Sequence, residues 1–405
     1  MNRSLVGGLA LAASSILTAA CGSDSVDPGA AGTVTSSQSS GTTGAGAGES
    51  SGGGMNASGG AGGAPEEPRS EACVALDAKL QAALDNARAA TTCKETTLAV
   101  QTPDCALMTY VSADDSATPL DHHYRIASNT KTFTAGVILK LVAEGAIGLD
   151  ELASEVLPTI NGLDGMTIRQ ILSHSAGLYN YTSDDDFINT KAMEPQKKWT
   201  PEELIAIAEQ HGPYFAPGTS YHYSNTDYIV AGLIAEKVGR KKISAQIREL
   251  LLTPSDLDAI YFDGEESEQG VLAQGYDDEG NDVTMKFDPS WIWAAGAMVA
   301  TAADLSRWME RLGSGGVHVP AIQAELEQGV QTGQDGMTYG LGVFLLDASY
   351  GGGAGRSIGH IGSVYGYHSQ AFYYPDTNIT ITGFVTCEDA DPNDIRIGAL
   401  TTLFP

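Results

Sequence analysis

Strand-like patterns stand at both ends of the folding part of this chain and enclose a mostly helical middle. Strands are predicted near residues 96–102, 106–112, 340–346, 357–362, 368–374 and 378–386. Helical periodicity predicts helices at 73–90, 151–157, 167–173, 201–210 and 226–252, and further ones after Ser128 and Asp391. A sheet that uses strands from both ends of a chain must receive the middle as an insertion. The sequence therefore predicts one discontinuous α/β lobe with an inserted helical lobe and a cleft between them.

The first 21 residues have the composition of a bacterial export signal. Arg3 supplies a positive start, an apolar run continues to Ala20, and Cys21 follows. Small residues before a cysteine resemble a lipobox, although Thr18 stands where leucine or valine is usual. We expect an exported lipoprotein, periplasmic or at the cell surface, that is anchored in a membrane by a lipid on Cys21. The alternative is an unmodified thiol behind an ordinary signal peptide.

Residues 22–70 are dominated by Gly, Ser, Ala and Thr. Such a segment buries too little apolar surface to fold, so it is predicted to be a disordered tether before a globular domain at 71–405. The net charge of −28 should repel nucleic-acid phosphates and anionic lipid headgroups. Nucleic-acid binding is therefore excluded, and membrane contact is expected through the lipid anchor alone.

The candidate metal ligands lack companions at the spacing that metal sites require. His122-His123 stands alone, Asp184–Asp186 is expected to form a solvated loop, and Asp277–Asp282 departs from the calcium-loop pattern. Gly351–Gly353 lacks the lysine of a phosphate loop and is expected to form a hairpin turn. The sequence therefore implies no metal and no other cofactor.

Ser128-Asn129-Thr130-Lys131 is the one place where a serine stands three residues before a lysine. On a helix these two side chains share a face, so a desolvated lysine could act as base for the serine hydroxyl. Apolar residues from Phe133 to Val142 follow at helical spacing, and Lys131 need not lie on their buried face. The structural alternative is a helix cap followed by a solvated lysine.

Two further motifs follow in order, Tyr223-Ser224-Asn225 and His360-Ile361-Gly362. With Ser128 and Lys131 they resemble the three active-site motifs of the penicillin-recognising serine hydrolases, which include β-lactamases, D-alanyl-D-alanine carboxypeptidases, D-amino-acid amidases and related esterases. Family-like stretches also occur at 168–178, 215–219, 295–298, 301–305 and 339–342. The H-x-G motif resembles the carboxypeptidase, amidase and esterase branch.

The resemblance implies acyl transfer through a covalent acyl-serine on Ser128. Lys131 would be the base, and Tyr223 would move the proton to the leaving group. Either residue could hold the proton in the ground state, because a phenolate beside an ammonium is stabilised. The structural alternative for Tyr223 is packing in an aromatic cluster.

The same resemblance implies a substrate-binding role for Asn225, His360, Gly362 and Ser363. Asn225 would bind the acyl amide carbonyl and also Lys131, while His360 would lie on an edge strand with a charge that changes near pH 6.5. Gly362 would let the strand approach the substrate. The backbone N–H groups of Ser128 and Ser363 would form the oxyanion hole.

Ile361 departs from the threonine that carboxypeptidases and lactamases commonly place in the middle of this motif. Isoleucine cannot donate a hydrogen bond to a substrate carboxylate. Ser363 or Arg356 could compensate for the loss. The substitution favours esters, amides or uncharged acyl groups over free peptide carboxylates.

Four cysteines besides Cys21 suggest two disulfides in an exported chain, and three pairings are open from the sequence alone. The family topology places the first helix along the first strand and the last strand antiparallel to the first, in an antiparallel sheet flanked by helices. It thereby implies the pairs Cys73–Cys105 and Cys93–Cys387.

The resemblance implies an exported serine hydrolase acting on small amide or ester substrates, with D-alanyl-D-alanine carboxypeptidase-like activity as the leading expectation. A β-lactamase or a carboxylesterase on the same fold is the enzymatic alternative. A penicillin-binding sensor that is acylated without turnover is the non-enzymatic one.

Overall fold

The computed structural model describes residues 69–405. The predicted signal peptide, Cys21 and the tether up to residue 68 lie outside the described residues. The first described helix begins at Glu71, because Ser70 Oγ accepts the Cys73 N–H at 3.2 Å and caps it. Within the described part of the chain, no helix combines the length and apolarity needed to cross a membrane.

The α-helices are α1 Glu71–Ala89, α2 Thr130–Ala143, α3 Ala153–Val156, α4 Ile168–Leu172, α5 Asp185–Met193, α6 Pro201–His211, α7 Asn225–Gly239, α8 Ile243–Ile247, α9 Trp293–Gly296, α10 Ala302–Gly313, α11 Pro320–Leu326 and α12 Pro392–Leu403. The strands are β1 Glu95–Gln101, β2 Met108–Ala113, β3 His123–Arg125, β4 Tyr261–Phe262, β5 Met298–Thr301, β6 Val330–Gln331, β7 Met337–Tyr339, β8 Phe344–Leu346, β9 Ser357–Val364, β10 Tyr367–Tyr374 and β11 Ile379–Val385.

Eight strands form an antiparallel sheet in the order β2-β1-β11-β10-β9-β8-β7-β6. Side chains alternate between its faces, so Leu98 and Val100 join the core beneath α1 and α12 while Ala99 joins the core on the other side. The helix α10 packs on β10 and β11 from that other side. The predicted fold, an antiparallel sheet flanked by helices with a mostly helical insertion, is confirmed.

The predicted edge position of the His360 strand is wrong for its first three residues, Ser357–Gly359, and holds from His360 onward. β9 pairs with β10 from Ile358 to Val364, but it also pairs with β8 from Ser357 to Gly359. The predicted strand at 340–346 is present only from Phe344 to Leu346, as β8. Residues 340–343 form the turn of the β7–β8 hairpin, with φ of 88° at Gly342. Beyond Gly359 the β8 ladder has ended, and β9 packs against the turn at Ala127–Asn129.

The helix α2 is the centre of the helical insertion. Every residue from Thr130 to Leu139 is buried, since α7, α8 and α9 pack around it. The apolar spacing did not require Lys131 to be buried, but its side chain has no exposed surface. The predicted helix at 226–252 is interrupted at Arg240, whose left-handed backbone ends α7.

Both predicted disulfides are present. Cys73 is bonded to Cys105, and Cys93 is bonded to Cys387, 294 residues further along the chain. The second bond joins the segment before β1 to the segment after β11, which is the antiparallel neighbour of β1. The two ends of the sheet-forming sequence are thus covalently linked.

Candidate active site

Ser128 lies in a single 3-10 turn, Ala127–Asn129, that leads directly into α2. Two side chains of the same stretch fix the turn: Asn129 Nδ2 donates to Ser369 Oγ at 2.9 Å, and Thr130 Oγ1 accepts the Met298 N–H at 3.1 Å. The turn is therefore held between β10 and β5. Ser128 itself is largely buried and keeps 8% of its surface exposed.

Lys131 Nζ donates hydrogen bonds to three acceptors from three segments. These are Ser128 Oγ at 2.9 Å, Asn225 Oδ1 at 2.8 Å and the Ala295 carbonyl oxygen at 2.8 Å. An amide or backbone oxygen can only accept, so two N–H bonds are committed to Asn225 and Ala295 in either protonation state. The remaining position on Nζ points to Ser128 Oγ. When the amine is neutral, its lone pair lies there and can accept the serine O–H.

Asn225 is the first residue of α7, and neighbouring groups fix its amide. Its Nδ2 donates to Thr182 Oγ1 at 3.3 Å, which directs Oδ1 toward Lys131, and its backbone N–H donates to Asn180 Oδ1 at 3.0 Å. The expected contact with Lys131 is therefore present. Both ends of the side-chain amide already have protein partners.

Tyr223 lies in the loop just before α7, and 4% of its surface is exposed. Lys131 Nζ lies 4.8 Å from the centre of the Tyr223 ring, which is a cation–π distance. The ring also belongs to an apolar cluster with Phe344 and Ile361. The structure thus brings Tyr223 to the lysine and embeds its ring in the core, so both interpretations made from the sequence describe part of its environment.

His360 is fully buried and does not carry the pH-dependent charge expected from its sequence. Its Nδ1 lies 2.5 Å from the Ile361 carbonyl oxygen, which can only accept, so Nδ1 carries the proton. Nε2 then accepts from the Tyr339 hydroxyl at 2.9 Å. Burial, together with the charge of Lys131, lowers the pKa of His360 to about 3 and keeps the ring neutral. Both ring nitrogens are therefore hydrogen-bonded to protein groups, and neither is available to a substrate.

The remaining residues of the β9 motif have separate environments. Ser363 is exposed and opposes His368 of β10, whereas Ile361 is buried in the cluster around Tyr223. A Cβ on Gly362 would lie 2.3 Å from the Ile126 carbonyl oxygen. The absence of a side chain there thus allows β9 to approach the residues just before Ser128.

Arg356, the predicted alternative for carboxylate recognition, is already paired. Its guanidinium lies 3.1 Å from Glu327 and 4.0 Å from Asp376. Asp184 is not a free loop residue either, because it caps α5 through the Phe187 N–H and contacts His211 at 2.6 Å. These two sequence candidates are held by local ion pairs and caps.

Among residues 69–405, one group of potential metal ligands converges: Cys93, Cys387 and Asp389. Both of its sulfurs are bonded to each other, so they are not available as thiolate ligands.

Three functional features escaped the sequence analysis. The carbonyl of Ala295 has no sequence signature, because any residue supplies one. His174 and Asp227 are fully buried beside Tyr223 and contact each other at 2.8 Å. His174 lies in the family-like stretch 168–178, and Asp227 lies two residues after the Tyr223-Ser224-Asn225 motif, so these two positions were the available signal.

The comparison with family models agrees with this geometry. The model described as Beta-lactamase matches residues 109–402, which is most of the chain. The protein therefore belongs to the β-lactamase family, as the sequence motifs had predicted.

Two solved structures of the same fold are described as enzymes that act on D-amino-acid compounds. The D-stereospecific amidohydrolase from Streptomyces sp. is 29% identical, with a TM-score of 0.72 over 79% of this chain and 97% of that one. The D-amino acid amidase from Ochrobactrum anthropi SV3, complexed with L-phenylalanine amide, has a TM-score of 0.73 over 81% of this chain and 98% of that one, at 24% identity. This second likeness concerns the fold.

A curated relative covers a smaller region. Protein flp from Staphylococcus aureus (strain MW2) is 26% identical over 197 residues, which are 46% of this chain and 38% of that protein. The chain thus matches less than half the length of this relative.

Proposed function

We propose that this protein is a serine hydrolase that cleaves small amides or esters of D-amino acids through an acyl-enzyme on Ser128. The observation that carries the proposal is the contact of Lys131 Nζ with Ser128 Oγ at 2.9 Å, while its other two hydrogen bonds go to fixed acceptors. A lysine held in this way has the serine hydroxyl within hydrogen-bonding distance, so its neutral amine can take the proton of Ser128. The similarity to a D-stereospecific amidohydrolase supports the substrate class.

In the proposed reaction the Ser128 hydroxyl gives its proton to neutral Lys131 as Oγ bonds to the substrate carbonyl carbon. The backbone N–H groups of Ser128 and Ser363 are the proposed donors to the oxyanion. Collapse of the tetrahedral intermediate breaks the bond to the amine or alcohol, which takes a proton from Lys131 directly or through Tyr223. Water then attacks the acyl-serine, and the acid product and the Ser128 hydroxyl are released.

The composition of β9 favours amides and esters over peptides that end in a free carboxylate. Ile361 is apolar, His360 is neutral and internally bonded, and Arg356 is paired with acidic residues. These positions therefore leave a substrate carboxylate without a cationic partner. On this ground D-amino-acid amides rank above D-alanyl-D-alanine peptides, which were the leading expectation from the sequence.

The test compares hydrolysis of D-alanine amide, D-phenylalanine amide, their L-isomers and a D-alanyl-D-alanine peptide by residues 69–405. We expect turnover of the D-amides, weaker turnover of the peptide, and none with Ser128→Ala. Intact-protein mass after incubation with benzylpenicillin separates the alternatives. A persistent adduct without turnover of any substrate would support the sensor, and rapid consumption of the drug would support a β-lactamase.

We also propose export and lipid anchoring through Cys21, on the basis of the sequence alone. Fractionation of cells that express the full chain tests this proposal. The protein should be found with the membrane, and Cys21→Ser should release it into the soluble exported fraction. An unchanged distribution would contradict anchoring at this residue.

A further inference from the structure

His174 is a fully buried histidine that the proposed reaction does not use. It follows α4 by two residues, and its backbone φ is 56°, in the left-handed region that non-glycine residues adopt infrequently. Such a conformation persists where surrounding contacts hold it, and it is enriched at functional sites. The contacts that hold His174 in this conformation therefore indicate its role.

Three consecutive residues around Tyr223 contact His174. The His174 carbonyl oxygen accepts the His222 N–H at 3.0 Å, and its Nδ1 accepts the Ser224 N–H at 3.3 Å. Between them, the Tyr223 ring packs on the imidazole with the ring centres 4.3 Å apart. One residue thus fixes the backbone on both sides of Tyr223 and also one face of its ring.

Asp227 completes this arrangement from the first turn of α7. Its Oδ2 lies 2.8 Å from His174 Nδ1, and neither side chain is exposed. Of the two groups that reach Nδ1, Asp227 is nearer than the Ser224 N–H, so the contact with Asp227 is the stronger hydrogen bond. Burial raises the pKa of Asp227 well above its usual value and lowers that of His174, which makes this contact a hydrogen bond between neutral groups.

We propose that His174, held by Asp227, is a positioning residue that sets the place of Tyr223 relative to Lys131. Asp227 and Asn225 lie in the first turn of the same helix, so the contact also fixes the start of α7 where Asn225 meets Lys131. The role rests on the proposed function, in which Tyr223 carries the proton to the leaving group. His174 acts through Tyr223 and does not contact the reacting atoms.

The test is a double-mutant cycle between His174→Asn and Tyr223→Phe, with hydrolysis of a D-amino-acid amide as the readout. Asparagine tolerates the left-handed backbone but lacks the ring that packs on Tyr223. We expect His174→Asn to lower kcat by about 10²-fold with little change in KM, since small misplacement of a catalytic group has effects of that size. In the Tyr223→Phe background the same substitution should lower kcat no further.

A matched control distinguishes positioning from simple loss of stability. His318 is likewise buried, at 6% exposure, with its pKa lowered to about 4 by burial, and it lies in the segment between α10 and α11. His318→Asn should lower the thermal midpoint and leave kcat unchanged. If His174→Asn folds poorly, Asp227→Asn and Asp227→Ala replace it. The asparagine can still donate to Nδ1, so its loss of kcat should be the smaller.

The outcomes separate this inference from the proposed function. Labelling of Ser128 by a fluorophosphonate, lost in Ser128→Ala, reports the nucleophile independently of Tyr223. If the wild type is labelled and active while His174→Asn keeps its kcat, or if the two substitutions are additive, the positioning role is overturned. If the wild type is neither labelled nor active, the proposed function fails, and the role of His174 fails with it.

Discussion

The candidate active site has a helical wall, formed by α2, α7 and α9, and a strand wall, formed by β9 and its neighbours in the sheet. The polar side chains of the two walls have different hydrogen-bond partners. On the helical wall, Lys131 reaches Ser128, Asn225 and the Ala295 carbonyl, which come from three separate segments. On the strand wall, His360 bonds to its neighbour Ile361 and to Tyr339 of β7. The polar side chains on the helical wall therefore contact the candidate nucleophile. Those on the strand wall are hydrogen-bonded within the sheet.

The largest effect predicted by this contrast is that of Lys131→Met, which removes the base but keeps the length of the side chain. We expect kcat to fall by about 10²–10⁴-fold, the usual contribution of general acid–base catalysis. Lys140→Met is the control, because Lys140 lies on the same helix but donates to the Val317 carbonyl. Kinetics on a D-amino-acid amide would measure kcat for both variants. A loss of kcat smaller than about tenfold with Lys131→Met would contradict the assignment of Lys131 as the base.

A smaller effect is expected on the strand wall from Gly362→Ala. The new methyl group would lie 2.3 Å from the Ile126 carbonyl oxygen, so β9 must move away from the turn that carries Ser128. We expect the free energy of unfolding to fall by about 1–3 kcal/mol, as for other overpacked sites, together with a loss of activity.

Gly398→Ala is the control for this substitution. Its Cβ would meet Ala83 Cβ at an ordinary 3.7 Å, inside α12, where alanine is preferred to glycine in a helix. Chemical denaturation should show no loss of stability for this variant. Equal behaviour of the two variants would contradict the close approach of β9.

The smallest effect on rate is expected from the titration of His360. Its pKa of about 3 lies below the value of ~6.5 in an unfolded chain, so the folded ring stays neutral near physiological pH. The rate should therefore show no inflection near pH 6.5 that depends on His360. An inflection in the wild type that disappears in His360→Gln would show that the ring titrates in the folded protein.

The same lowered pKa makes stability depend on pH. Below ~6.5 the unfolded chain takes up a proton that folded His360 does not, so stability is fully present above that pH and is lost as the pH falls toward about 3. Thermal midpoints from neutral to acidic pH should therefore decrease less steeply for His360→Gln than for the wild type. His174 and His318 have pKa values lowered in the same direction, so part of the slope should persist.

The sequence predicted those features that depend on local spacing or on family motifs. Ser128 and Lys131 are separated by one helical turn, and the structure brings them together as that spacing indicated. The burial of Lys131 was not predictable from its own helix, because it depends on α7, α8 and α9 packing from distant parts of the chain. The pattern of apolar residues in α2 indicated a single face, whereas the helix is enclosed on all sides.

The strand wall was harder to predict because its environment is non-local. Whether β9 is an edge strand depends on β8, which is separated from it by a turn of irregular sequence. The neutral state of His360 depends on its burial and on Lys131, which lies on α2. In both cases the motif itself was recognised, and the surroundings that decide its chemistry came from other elements.

The bond between Cys93 and Cys387 also determines how the domain would carry a mechanical load. A pull applied between residues 69 and 405 has its shortest covalent route across the Cys73–Cys105 bond, back along the chain to Cys93, across the second disulfide, and out through α12. Residues 106–386, which include Ser128, Lys131 and β9, form a loop outside this covalent route. A domain of this construction can be held by its ends under strain while the distances around Ser128 stay unchanged.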